Sequence, residues 1–367
     1  MEKSSVISVK QLLLVMVILR IAFSTSYISG LNTGNSVQDV LVAIPVLFLI
    51  SFIVALPILI LLKRHPGKAI MECSIQVMGR GVSAVIGLIY ISFFIFQAAA
   101  ELGTFHLVFT NAVIPESQEY AISIPLLIVC MYGAAKGIES VSRFGTFVFA
   151  LYVLILIFNM ISLLPRAQMG YLFPLFYNGP RVFLQSLNSM FNSSVQILTL
   201  AVCASFLKPG SNVRKVFSYY NVFASLLLFL YTFLAVMVMG PYTSKQVFPL
   251  FTLSELSKVG VFERLDSLEM VLWIFDTILA VTVYIFLAAN MPTKFGLNKY
   301  RKVVIVLIGA AVYFLAPVIS HNYLMYQSCM GSLYATAIVV TLIVIIPLII
   351  LITDIIKEKV KKNEAEN

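Results

Sequence analysis

The amino-acid sequence predicts an all-α integral membrane protein of ten transmembrane helices arranged as five plus five, and three observations predict it. The 367-residue chain is 60% hydrophobic and only 11% charged, with a mean hydropathy of +0.98, outside the range of soluble globular domains. Apolar runs long enough to cross a hydrocarbon core of about 30 Å recur from end to end. Between them the basic residues alternate in sides: nineteen fall on one face and five on the other. Alternating strand patterns of about ten residues, which a membrane barrel needs, are absent.

The spans read in order as about 9–28, 36–62, 81–112, 119–137, 143–164, 182–207, 213–239, 265–290, 300–320 and 329–354. The first follows a polar start (Glu2 to Ser5) and lacks a small-residue cleavage site, so it reads as a retained span and not a signal peptide. Connections after even-numbered spans carry residues such as Lys63, Arg64, Lys136, Lys208 and Lys294, and both termini are basic. By the positive-inside rule both termini are cytoplasmic. The net charge of +9 therefore reports topology and not nucleic-acid binding.

One transmembrane domain fills 1–367, with repeats at about 9–164 and 182–354. Five is odd, so the second set enters from the opposite face; an inverted repeat follows if the halves share a structure. No clear sequence identity links them. Two outer connections, 165–181 and 241–263, mix aromatics with Pro and Gly and suit short interfacial segments. After Asp354 the tail is rich in Lys and Glu and reads as a helix end fraying into solvent.

Two spans are interrupted by polar residues. The first carries Arg20 about midway and then Ser24, Thr25 and Ser26. The sixth opens with Asn188-Ser189-Met190-Phe191-Asn192-Ser193-Ser194. Paired interruptions in corresponding places of two halves point to a transporter-type binding site, because unwound backbone in lipid is tolerated only where it is buried or lines a cavity. There, helix ends offer N–H groups to a carboxylate or carbonyls to an ammonium or cation. The competing reading has each hydroxyl bonding back to its own helix or packing against a neighbour.

Ionisable groups deep in spans are costly and are functional candidates by default. Glu101 lies in span 3 with Gln97 one turn before it and His106 beyond. Asp276 lies near the middle of span 8, followed by Thr277, Thr282 and Tyr284. Spans 3 and 8 match in the two halves, so both acids can face one interior, and either can pair with Arg20. A structural ion pair is the alternative. Glu269, one turn into span 8, is read as reaching the interface, and His106 as an interfacial histidine. The ligand-binding set is therefore Ser24, Thr25, Ser26, Gln97, Glu101, Asn192, Ser193, Ser194, Asp276 and Tyr284.

Other chemistries find little support. His65, His106 and His321 share no metal-ligand spacing, and no nucleophile elbow or phosphate loop is present. No cofactor, metal or enzymatic activity is expected. Cys73, Cys130, Cys203 and Cys329 show no paired spacing, and Cys130 and Cys203 fall in apolar runs as small buried hydrophobes.

Several elements carry a resemblance. Val261-Phe262-Glu263-Arg264-Leu265-Asp266-Ser267, then Val271-Leu272-Trp273-Ile274 and Ala288-Ala289-Asn290, resemble the signature of spore germination receptor B subunits, the spore permease family. Ser142-Arg143-Phe144-Gly145, Leu172-Phe173-Pro174 and Phe248-Pro249 agree with it, and it covers essentially the whole chain. The resemblance implies an amino-acid permease or leucine-transporter-like fold with discontinuous helices 1 and 6. It also implies a small-molecule germinant held between spans 1, 3, 6 and 8, with Glu101 where relatives carry an acid. The implied partners are a membrane A subunit and a lipoprotein C subunit, in the spore inner membrane with both termini on the core side. Arg20 and Asp276 have no counterpart in the resemblance, and Ser24-Thr25-Ser26 stands where relatives are rich in Gly. Two functions need the same cavity: a germinant sensor, or a proton- or cation-coupled amino-acid transporter.

Overall fold

Apolar runs in lipid have no water to satisfy their amides, so they close hydrogen bonds internally. The computed structural model describes residues 6–26, 37–112, 119–176, 179–246, 248–258 and 266–366, without the side chains of 22–26, 37, 111–112, 119–120 and 365–366. These residues are helical almost throughout. In chain order the helices are α1 Val9–Ser26, α2 Val37–Arg64, α3 Ile70–Ala112, α4 Glu119–Lys136 and α5 Ile138–Leu163. The second half holds α6 Pro180–Asn192, α7 Ile197–Cys203, α8 Val213–Met239, the short α9 Pro249–Glu255 and α10 Asp266–Thr293. It ends with α11 Arg301–His321, α12 Tyr323–Met330, α13 Leu333–Val340, a π turn at Thr341–Ile345 and α14 Ile346–Glu366.

Eight helical stretches among the described residues are long and apolar enough to cross a membrane. With α1 and the shorter α4 they occupy the places of the ten expected spans. The sixth is interrupted as expected, α6 and α7 being separated at Ser193–Gln196. The first is helical to Ser26, where the description stops; the side chains of Ser24, Thr25 and Ser26 and the signature residues Phe262, Glu263 and Arg264 lie outside the described residues.

Three boundaries depart from expectation. Span 3 begins earlier, because an amphipathic turn from Ile70 joins it through Gly79, whose φ of 80° bends the chain as few side chains permit. Ser74 and Ser83 bond across that bend at 2.8 Å. The tenth span starts with its own interruption at Gly331–Ser332, between α12 and α13. The tail does not fray at Asp354: α14 continues to Glu366, and Arg64 Nε donates to Asp354 at 2.7 Å while the same guanidinium reaches Glu358.

Burial ranks the helices. In the spans over 180–206 and 266–293, 78% of the most apolar window is buried, against 33% over 138–166. On α1, every residue from Leu12 to Leu19 is buried. Thus α1, α6–α7 and α10 form the interior, and α3 packs most extensively on α10 and α11. Gly103 permits that closeness, since a Cβ there would lie 2.6 Å from the Ala316 carbonyl oxygen. Small residues of this kind let membrane helices approach. Outer helices turn Leu49, Ile53, Leu307 and Phe314 outward, as a lipid-facing surface requires. At one end the chain ahead of α1 is stitched to the chain after α7: Ile7 N–H donates to Phe206 O at 2.9 Å and Lys208 N–H to Ile7 O at 3.3 Å. Nearby, Lys294 donates to Glu72 at 2.9 Å.

Candidate functional site

The interruption between α6 and α7 leaves carbonyls at the end of α6 without helical partners, and this end carries the negative pole of the helix. Arg20 answers both needs. Its guanidinium, buried on α1, donates to Ser193 Oγ and, at 3.3 Å, to Met190 O. Neither Glu101 nor Asp276 pairs with Arg20, contrary to the sequence reading. The carbonyl end of α6 draws the side chain instead. Ser193 and Ser194 hydroxyls turn back to Met190 O at 2.7 and 3.0 Å.

Two further residues, absent from the sequence-based set, complete this brace. Gln196 Nε2 donates to Leu19 O at 3.3 Å and Ser193 O at 3.1 Å, and its Oε1 accepts from Tyr220 OH at 3.2 Å. The signal for Gln196 was visible as a lone amide in an apolar stretch; Tyr220, one span later, had none. On the opposite side Asn192 Nδ2 donates to Met330 O at 2.8 Å and Asn188 Nδ2 to Gly331 O at 3.1 Å. The interruption of span 6 is thereby tied to α1, to α8 and to the interruption of span 10.

Asn192 and Ser194 open to different spaces. Ser194 lines a narrow cavity of about 30 Å³ with Arg20, Ser51, Tyr220 and Asn221. Asn192 and Gln97 line a groove of about 770 Å³ between α3 and α13, walled by Phe93, Phe96 and Ile338. Asn192 Oδ1 is buried without a hydrogen-bond partner.

Between α3 and α10 lies a second polar interior. Gln97, Glu101, Asp276 and Tyr284 are all buried there. Gln97 neighbours Tyr284, whose ring stacks on Phe94 with centroids 6.3 Å apart. Glu101 and Glu269 are both within electrostatic reach of Asp276. Glu269 does not reach the interface as expected: it is buried, accepting from Ser254 Oγ at 3.3 Å, in a chain that runs on through Asn159 to Ser257. The α9 turn folds over the start of α10 and closes it off. His106 is likewise buried within the protein. Glu101 Oε1 and Asp276 Oδ1 have no hydrogen-bond partner and neither acid joins an ion pair among the described residues. Among those residues, no group of three or more His, Cys, Asp or Glu could hold a metal ion.

The comparisons agree with this architecture. Residues 6–324 match the spore permease family, described as spore germination protein. Spore germination protein A2 of Bacillus subtilis is 24% identical over 297 residues, covering 75% of this chain and 76% of its own. Spore germination protein YndE of the same organism is 21% identical over 236 residues, covering 62% and 64%. Among solved structures, MhsT in complex with L-phenylalanine superposes with a TM-score of 0.53 at 13% identity, covering 92% of this chain and 98% of that one. That likeness shows the leucine-transporter-like fold.

Proposed function

Because this chain belongs to the spore permease family of spore germination proteins, we propose that it serves as the B subunit of a germinant receptor. It binds a small nutrient germinant, an amino acid by preference, in the interior bounded by α1, α3, the α6–α7 interruption and α10. Binding shifts the balance between two conformations, and a membrane A subunit and a lipoprotein C subunit receive that shift. The complex sits in the spore inner membrane with both termini of this chain on the core side, as the basic residues favour. Such a sensor needs only a ligand with different affinities for its two states.

The observation that carries the reading is the buried interruption of span 6, braced to α1, α8 and the tenth span. A ligand that displaces any brace acts on four helices at once. The buried acceptors left without donors, Asn192 Oδ1 and Glu101 Oε1, suit an ammonium group. Ser193 and Ser194 contribute backbone shape more than hydroxyls, since both hydroxyls are engaged by Met190 O. The unpaired acids also favour a second reading, a proton- or cation-coupled amino-acid transporter.

Spores with and without the gene, challenged with amino acids, sugars and nucleosides, separate the two when labelled uptake is followed in parallel. The sensor loses its response to one compound while uptake is unchanged; lost uptake with intact germination selects the transporter. In the same assay Glu101→Gln weakens the response at normal protein abundance, and an undiminished response removes Glu101 from the site.

A further inference from the structure

On one side of the molecule α3 and α13 part to leave the groove of about 770 Å³ that reaches the buried amides of Gln97 and Asn192. Ile89 on one lip is exposed, and on the other Tyr334 and Ile338 are 85% and 57% exposed, so the mouth opens on the surface that faces the bilayer. Phe93, Phe96, Met330 and Leu342 make the walls apolar. Three classes of occupant compete for such a space: water with a polar solute, a helix of another protein, or hydrocarbon from the bilayer.

The backbone of the wall distinguishes among them. Two irregularities lie along it, the interruption at Gly331–Ser332 and the π turn at Thr341–Ile345, and each disturbs the carbonyls of an otherwise regular helix. Side chains of this protein take those carbonyls up. Asn192 Nδ2 donates to Met330 O at 2.8 Å, Asn188 Nδ2 to Gly331 O at 3.1 Å and Ser332 Oγ to Cys329 O at 2.6 Å. Further along, Thr341 Oγ1 donates to Ala337 O at 2.7 Å and Tyr90 OH to Leu342 O at 2.9 Å. Carbonyls satisfied from within are what hydrocarbon demands, whereas a water-filled groove would leave them to the solvent. The two amides are not on offer either: Gln97 is turned to Tyr284, and Asn192 Oδ1 is itself enclosed. A docked membrane helix is held by interhelical hydrogen bonds and by small residues that let backbones meet. Here the acceptors are spent and most of the wall is bulky.

We propose that this groove is a binding site for one hydrocarbon chain of a bilayer lipid. The chain lies between α3 and α13 and rests against the clasp that Asn188 and Asn192 form with the interruption of span 10, so the lipid becomes part of the joint between spans 6 and 10. This goes beyond the sensor and transporter readings and depends on neither. Lipid elsewhere on the surface has no such seat: Leu307 and Phe314 simply project from α11.

The test titrates the full chain in detergent with phosphatidylglycerol carrying a diazirine on its acyl chain, followed by illumination and mass-spectrometric location of the adducts. Adducts on Phe93, Phe96 and Ile338 are expected to exceed those on Leu307 and Phe314 several-fold and to saturate, while the latter rise with lipid. Equal labelling of both sets without saturation overturns the proposal. Ala337→Trp and Ser92→Trp fill the groove from its two walls and are expected to abolish its adducts while those on Leu307 remain. Groove adducts that persist in a variant with parental thermal unfolding also overturn the proposal; if both variants misfold, the titration of the unmodified protein decides alone. Finally, p-benzoylphenylalanine in place of Ile338, illuminated in native membranes, is expected to capture phospholipid. Capture of a second copy of this chain or of a partner protein at that position instead shows that a helix fills the groove, and overturns the lipid site.

Discussion

Around Ser193 almost every polar side chain has a protein partner, whereas around Asp276 the acids and phenols face one another largely without donors. Both regions are buried and both lie in the most enclosed spans. In the first, Arg20, Gln196 and Tyr220 consume the carbonyls and hydroxyls that the interruption exposes. In the second, Asp276 Oδ1, Glu101 Oε1 and the hydroxyls of Tyr152 and Tyr231 remain open. Since a satisfied network rigidifies and an unsatisfied one is costly, the first region reads as frame and the second as the less constrained of the two.

Substitutions can break that contrast, the most damaging first. Arg20→Ala removes the charge-assisted bonds to Ser193 and Met190 from the interruption and is expected to cost about 3 kcal/mol, read as a fall in thermal unfolding temperature of the purified protein. A stability equal to the parent would mean that the brace is not structural. Tyr220→Phe removes one neutral bond to Gln196 and is expected to cost about 1 kcal/mol by the same measurement. Tyr152→Phe deletes a similarly buried hydroxyl that meets only the Tyr231 hydroxyl, outside good hydrogen-bond geometry, so its expected cost is below about 0.5 kcal/mol. If the two tyrosine variants lose equal stability, the contrast between the regions fails.

Much of the architecture was legible because hydropathy and basic residues are read one span at a time. The interruption at Asn192–Ser194 was also legible, since polar residues in an apolar run are conspicuous. Its function as a cross-brace was not. Arg20 looked like a partner for an acid because charge alone was visible; the competing attraction, a carbonyl end 170 residues away in sequence, exists only once α1 and α6 meet. Tyr220 gave no signal, being one aromatic among many in α8. Glu269 was misplaced to the interface because its depth depends on α9, which a short Pro-led turn in a loop scarcely announces. Site residues drawn from two helices at once are the ones that a linear reading loses.

The stitch between Ile7 and Lys208 bears on how the chain is made. α1 leaves the ribosome before the groups that complete it, from Met190 to Lys208, which lie about 200 residues further along. At roughly 5–20 residues per second, α1 waits some ten seconds or more with a guanidinium in its middle and no carbonyl end to receive it. Synthesis past the sixth span is therefore the step at which the first helix becomes part of the protein. A stall or truncation before that point leaves α1, with its buried arginine, as the segment most readily recognised by membrane quality control.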